Sequence, residues 1–236
     1  MANDDFDITG LAAYLHLLPA QVSKLADRGK LPGRRVAGQW RFSHPEIHHW
    51  LEKRIGLSDD GQLVQMERNL KRVDPSQDGS FSLAALIPLG AIEVPLAAKT
   101  RGSVITAMSK LAASTGILWD PIKMAEAVTA REAMHPTALD IGVALLHPRR
   151  PQSSILSESI VALGIVGSGI PFGGRSLTDI FFLICVTEDH QHLRILARLS
   201  RMISDEDWLV SLRAASDARD AHELITRRAE ELDGAE

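Results

Sequence analysis

Residues 131–147 read Arg131-Glu132-Ala133-Met134-His135-Pro136-Thr137-Ala138-Leu139-Asp140-Ile141-Gly142-Val143-Ala144-Leu145-Leu146-His147: an adjacent base and acid, a turn-forming stretch, then an apolar run that stops on one histidine. An apolar run of this length behind a glycine is a strand signal, and it fixes what must surround it. Further strand signals lie at residues 159–166 and 179–186. Residues 100–113, with Val104, Met108 and Leu111 on one face, predict an amphipathic helix. Helices are also expected over 121–131, 191–204 and 205–215. Strands separated by helices, with a late helical pair, imply an α/β sandwich of mixed sheet and flanking helices.

A strand that ends on a histidine offers a nucleophile at neutral pH. The neutral imidazole attacks readily, and an N-phosphoryl bond keeps high transfer potential because imidazole is a good leaving group. A ring that carried a phosphoryl group would need to be held in place, with cations or donors around the three phosphoryl oxygens and water excluded. The ordinary alternative is a packing or capping histidine at a strand end.

In its order of residues the segment resembles the phosphohistidine segment of the phosphotransferase-system IIA components of the fructose/mannitol and nitrogen-regulatory type. That family runs Arg-Glu, a Ser-Thr-Gly turn, an apolar strand and Pro-His. The resemblance covers residues 82–228 and implies the mixed-sheet α/β sandwich of that family, with His147 as phosphoryl acceptor from a histidine phosphocarrier protein. Arg131 would supply charge, and Thr137 retains one hydroxyl of the turn. The family also carries His-Leu at a helix start after an apolar strand. Here Phe182-Leu183-Ile184-Cys185-Val186 leads through Thr187-Glu188-Asp189-His190-Gln191 into His192-Leu193. His192 is the match for a second imidazole, and His190 the fallback. Pro136, Ala138 and Leu146 depart from the family's serine, glycine and proline. Glu132 is expected as an ion-pair partner at a helix end.

Residues 6–54 have a different character. Residues 7–15 place a capping candidate before an apolar-periodic stretch, and residues 18–29 open with a proline at a helix start and stop at a glycine. Two short helices at that spacing make a helix-turn-helix. Residues 30–42 hold two strand signals around a glycine turn, and a third helix is expected over 44–54. The phrase Arg28-Gly29-Lys30-Leu31-Pro32-Gly33, then Gly38-Gln39-Trp40-Arg41-Phe42 and Trp50-Leu51, resembles the excisionase and MerR-like winged helix-turn-helix family.

Charge agrees with that resemblance. Between Gln21 and Arg41 stand Lys24, Arg28, Lys30, Arg34, Arg35 and Arg41 against the single acid Asp27, in a chain of net charge −4. A local basic patch is the footprint of phosphate contacts. Gln21, Ser23 and Lys24 are expected to meet base edges, and Arg28, Lys30, Arg34, Arg35 and Arg41 the DNA backbone or minor groove. Trp40, Phe42 and Trp50 are expected in the core.

The resemblances therefore imply a winged helix-turn-helix at 1–55, a linker with a short helix at 56–80 and a IIA-like phosphoacceptor domain at 81–236. Leu63, Met66, Leu70 and Val73 give the linker helix a narrow apolar seam, suited to packing or to a homodimer contact. Its 236 residues, 45% hydrophobic and 24% charged, are enough for one small and one medium soluble domain. No apolar run reaches the ~18 residues of a membrane helix, and the opening Met-Ala-Asn-Asp-Asp lacks the pattern of a secretion signal, so a cytoplasmic location is expected. The lone Cys185 is read as a buried small hydrophobe.

Two further motifs are set aside. Gly169-Ile170-Pro171-Phe172-Gly173-Gly174-Arg175-Ser176 approaches phosphate-loop spacing, but strand-like residues follow where a helix must open, so a hairpin turn is expected. His44, His48 and His49 lack a completing ligand set, and neither metal nor cofactor is expected. Taken together, the two resemblances imply a regulator, a phosphotransferase component that couples phosphohistidine to DNA binding. A transcription factor using the IIA-like domain only as sensor or dimerisation scaffold is the alternative.

Overall fold

The computed structural model describes residues 5–15, 17–43, 46–47, 50–51 and 82–234. The linker helix expected over 63–73, the histidines His44, His48 and His49, and the side chain of His190 lie outside the described residues. The chain separates into two units, residues 1–79 and 80–236.

In the N-terminal unit, β1 (Asp5–Phe6) leads into α1 (Ile8–Leu15) and α2 (Pro19–Asp27), followed by β2 (Arg34–Val36) and β3 (Gln39–Ser43). The strands form an antiparallel sheet in the order β1-β3-β2. Local chemistry sets the boundaries. The Asp7 carboxylate accepts from the Gly10 amide at 2.7 Å, and Pro19 supplies a preset φ at the start of α2. α2 ends where Gly29 turns left-handed, with Lys30 donating to the Leu25 carbonyl at 2.8 Å and Gly29 to Ala26 at 2.9 Å. These paired bonds satisfy carbonyls that the helix end leaves open. Leu11, Val22, Ala26, Leu31, Phe42, Ile47 and Leu51 fill the core. Trp40 differs from expectation. It is half-buried, stacked on Phe42 with ring centroids 5.9 Å apart, and its indole donates to Asp27 at 3.1 Å. Trp50 is likewise half-buried.

The β2–β3 connection is the two-residue turn Ala37-Gly38, with φ of 51° and 80°. Both positions are left-handed, the type I′ geometry that favours asparagine followed by glycine. Alanine has no local hydrogen bond to offset that conformation. Ala37→Asn is therefore expected to stabilise this unit by about 1 kcal/mol, read as a higher urea midpoint.

The C-terminal unit opens with α3 (Leu83–Leu86), a 3-10 turn (Leu89–Ala91) and β4 (Ile92–Glu93). Helices α4 (Arg101–Ser114) and α5 (Pro121–Met134) follow, capped by Thr100 and by Asp120. Then come β5 (Val143–Leu146), β6 (Ile160–Ile170), β7 (Thr178–Cys185), α6 (Asp189–Ile203), α7 (Glu206–Arg213) and α8 (Ala218–Gly234). The sheet order is β4-β6-β7-β5, parallel at both edges and antiparallel at its centre. This is the mixed sheet that the strand and helix order implied.

β5 is buried along its whole length. Ala144 and Leu146 join Phe181, Leu183, Cys185 and Ala162 in a core with Val104, Met108 and Ala112 of α4 and Met124 and Val128 of α5. Strand periodicity sends Val143 and Leu145 to the opposite face, as it does Phe182 in β7, against which α6 packs. α4 lies so close to β6 that a Cβ at Gly164 would stand 2.6 Å from the Met108 sulfur. Cys185 is fully buried, and desolvation pushes its thiol up to about 12.

Two elements differ from the sequence expectation. β6 continues to Ile170 through a register irregularity after Ile165. α8, beyond the predicted helical pair, buries only Ala221, Ile225, Ala229 and Leu232. Two of those four are alanines, so the apolar signal is weak. The 169–176 motif forms the antiparallel β6–β7 hairpin connection, with strand rather than helix after it.

Candidate functional site

Gly142, with φ of 83°, reverses the chain so that residues 137–139 run back along β5. Leu139 donates to the Val143 carbonyl at 2.8 Å, Leu145 donates to the Thr137 carbonyl at 3.3 Å, and Ala138 bridges Ala144 between them. His147 follows directly after β5. Its Nδ1 lies 2.8 Å from the Leu145 carbonyl oxygen. A carbonyl only accepts, so Nδ1 carries the hydrogen and the lone pair of the neutral ring sits on Nε2.

The second imidazole comes from the first turn of α6. His192 donates its amide to the Glu188 carbonyl at 3.3 Å. Ser159 fixes that entry, since its hydroxyl donates to Gln191 and accepts from the Thr187 amide at 3.2 Å. The His147 and His192 rings meet with centroids 4.7 Å apart and planes tilted by 55°. Both are buried, each 3% exposed.

Thr137 and Arg131 are placed by other contacts. Glu132, its side chain 1% exposed, accepts from the Thr137 amide at 3.1 Å and from the Thr137 hydroxyl. It also pairs with Arg101 at 2.9 Å, which matches the ion-pair role expected of it. Arg131 is buried at the end of α5 and donates to the His135 carbonyl at 2.8 Å, within the turn that leaves the helix. Arg101 and Ser159 were not legible from sequence. Arg101 precedes its partner by 31 residues, and nothing local marks either side chain.

In the N-terminal unit, Val22 and Ala26 are the buried face of α2, while Gln21, Lys24 and the following Arg28 and Lys30 are exposed. The Gln21 side chain accepts from the Leu18 amide at 2.9 Å, and Ser23 is half-buried with its hydroxyl 3.5 Å from Asp27. Arg34 and Arg35 stand exposed on β2, and Arg41 of β3 lies opposite Arg34 in the β2–β3 register. Arg34 reaches Asp5 at 2.7 Å. Arg35 reaches Asp27 at 3.1 Å and lies 5.0 Å over the Trp40 ring. Among the described residues no group of His, Cys, Asp and Glu is arranged to hold a metal, and no helix is long and apolar enough to cross a membrane.

A mixed four-stranded sheet flanked by helices, with a histidine pair at the end of one strand, defines an α/β domain of the IIA type, here in one chain with a winged helix-turn-helix. The model of the phosphoenolpyruvate-dependent sugar phosphotransferase system EIIA 2 family matches residues 85–228, and the chain belongs to that family. A helix-turn-helix domain model matches residues 6–55. Among solved structures, nitrogen regulatory protein IIA-Ntr from Neisseria meningitidis is similar with a TM-score of 0.55 at 20% identity, over 61% of this chain and 99% of that one. IIA mannitol from Escherichia coli is similar with a TM-score of 0.53 at 18% identity, over 58% of this chain and 97% of that one. The same Escherichia coli protein in complex with phosphorylated enzyme IIB mannitol gives 0.53 at 19%, over 59% and 98%. At these identities the likeness establishes the fold.

Proposed function

We propose that the C-terminal unit accepts a phosphoryl group on His147 from a histidine phosphocarrier protein, and that the added charge alters DNA or partner binding by the N-terminal unit. The contact between His147 and His192 carries this reading. In the transfer, the Nε2 lone pair of His147 attacks phosphorus while the donor's N–P bond breaks, and the donor imidazole leaves with that electron pair. No water is consumed. His192 supplies an N–H to a phosphoryl oxygen. The product carries up to about −2 of new charge at the site, enough to bias a docked domain or partner. The test is intact mass of the full chain after incubation with phosphorylated phosphocarrier protein, where an acid-labile adduct is expected.

The second reading, a scaffold that takes no phosphoryl group, is favoured by the burial of both rings and by the commitment of the Thr137 hydroxyl to Glu132. Absence of an adduct under conditions that load a control IIA protein would select it.

For the N-terminal unit we propose duplex DNA as partner, with Gln21, Ser23 and Lys24 of α2 toward the bases and Arg28, Lys30, Arg34, Arg35 and Arg41 toward the backbone. The exposure of Arg34 and Arg35 beside the type I′ turn supports this. Arg35→Ala is expected to weaken binding to a mixed-sequence duplex and to reduce the slope of log K against log salt by about 1. An unchanged slope would remove Arg35 from the interface.

A further inference from the structure

We infer that Arg101 is the positioning residue of the phosphoacceptor site, acting on His147 through Glu132 and the 136–139 segment; this rests on the proposed phosphoryl transfer to His147. Its location is the first clue. Arg101 is the first residue of α4, where a cation meets the positive end of the helix dipole and is disfavoured. Something must offset that, and the contacts identify it. The same guanidinium nitrogen donates to the Glu132 carboxylate at 2.9 Å and to the Glu132 carbonyl at 2.6 Å, joining the start of α4 to the end of α5.

From there a continuous hydrogen-bonded path reaches the imidazole. Glu132 holds Thr137 by its amide and hydroxyl. The Thr137 carbonyl accepts from the Leu145 amide, and the Leu145 carbonyl accepts from His147 Nδ1. Leu145 is thus shared between the loop and the acceptor ring. A shift of Thr137 is transmitted to the group that fixes the His147 tautomer.

Arg101 also touches the other wall of the loop. Its guanidinium lies 5.4 Å over the Phe172 ring, at the base of the β6–β7 hairpin tip. That tip presses on Pro136, since a Cβ at Gly173 would stand 2.6 Å from the proline Cγ. Arg175 donates its amide to Asp140 at 3.1 Å. One cation therefore braces both the carboxylate beneath the loop and the hairpin above it. The Glu132 side chain is 1% exposed and that of Arg101 37%. Without Arg101 the buried carboxylate would lose its paired cation, and its hold on Thr137 would change.

The experiment compares full-length wild type, Arg101→Met and Arg101→Lys in two readouts. One is the ring-nitrogen NMR signals of His147 with hydrogen exchange at the Leu145 amide, neither of which needs phosphorylation. The other is the rate of phosphoryl uptake from the phosphocarrier protein. In Arg101→Met the His147 ring signals are expected to move, Leu145 to exchange faster, and kcat to fall about tenfold with KM nearly unchanged; Arg101→Lys should recover most of each. Unaltered His147 signals and Leu145 protection in Arg101→Met overturn the proposal, even where thermal stability falls. A slower uptake with unaltered signals also overturns it, because Arg101 would then act on the phosphoryl group directly. If wild type takes up no phosphoryl group, the acceptor reading fails separately, and the NMR and exchange arm alone decides whether Arg101 positions the ring.

Discussion

Alanine at His147 is expected to abolish loading of an acid-labile phosphoryl group, whereas alanine at His192 should slow loading without abolishing it. The two rings touch, yet their roles differ by position. His147 has Nδ1 committed to the Leu145 carbonyl at the end of a buried strand, which leaves the ring lone pair on Nε2, the proposed nucleophile. Its removal takes away the only atom to which the new bond is proposed to form. His192 sits on the first turn of a helix and is proposed as a donor, so its loss should resemble deletion of one oxyanion-type donor, about 10²–10³ in rate. Truncating either buried ring also costs about 1–3 kcal/mol of stability, so circular dichroism must accompany the intact-mass time course. Loading that persists in folded His147→Ala would move the acceptor elsewhere, and survival in His147→Ala with loss in His192→Ala would exchange the two roles.

Legibility in the sequence followed how local each signal is. β5 and β7 were readable because β5 is apolar throughout and β7 is apolar from Ile180 onward, and their burial in the sheet accounts for that composition. α4 was readable from apolar spacing, with Val104, Met108 and Leu111 on one face. The histidine pair came from resemblance, since His147 and His192 are 45 positions apart and only the β5–β7 pairing and the turn into α6 bring them together. α8 was missed because alanine contributes half of its buried positions. Trp40 was placed too deep, because composition alone does not reveal that Asp27 draws its indole toward the surface. Arg101 was invisible for a stronger reason. The role proposed for it depends on a helix start meeting a helix end, a fact of tertiary packing.

Gly142→Ala is expected to cost far more stability than Gly116→Ala, which provides its control. The two glycines have nearly the same backbone, with φ of 83° and 81°. Alanine should therefore lose about 1 kcal/mol at either position from the left-handed conformation alone. Their surroundings differ. A Cβ at Gly116 meets nothing within 4 Å, whereas at Gly142 it would lie 2.8 Å from Arg213 Nη2, 3.1 Å from Asp179 Oδ1 and 3.3 Å from the Leu177 carbonyl oxygen. Arginine tips usually swing aside, but this one is held, donating to the Ile141 carbonyl at 2.5 Å and to Asp179 at 2.8 Å. The Leu177 carbonyl is backbone at the entry to β7, and the Gly142 carbonyl accepts from both Asp179 and Ile180. Relief of the collision thus requires either releasing Arg213 or moving the turn away from β7. We expect a total loss of about 3 kcal/mol for Gly142→Ala against about 1 for Gly116→Ala, measured by urea unfolding of the full chain. Because this turn sets residues 137–139 against β5, Gly142→Ala should also slow phosphoryl uptake at temperatures where the protein stays folded. Equal losses at the two glycines would mean that the Arg213–Asp179 clamp yields freely, and the turn before β5 would lose its claim to fix the acceptor strand.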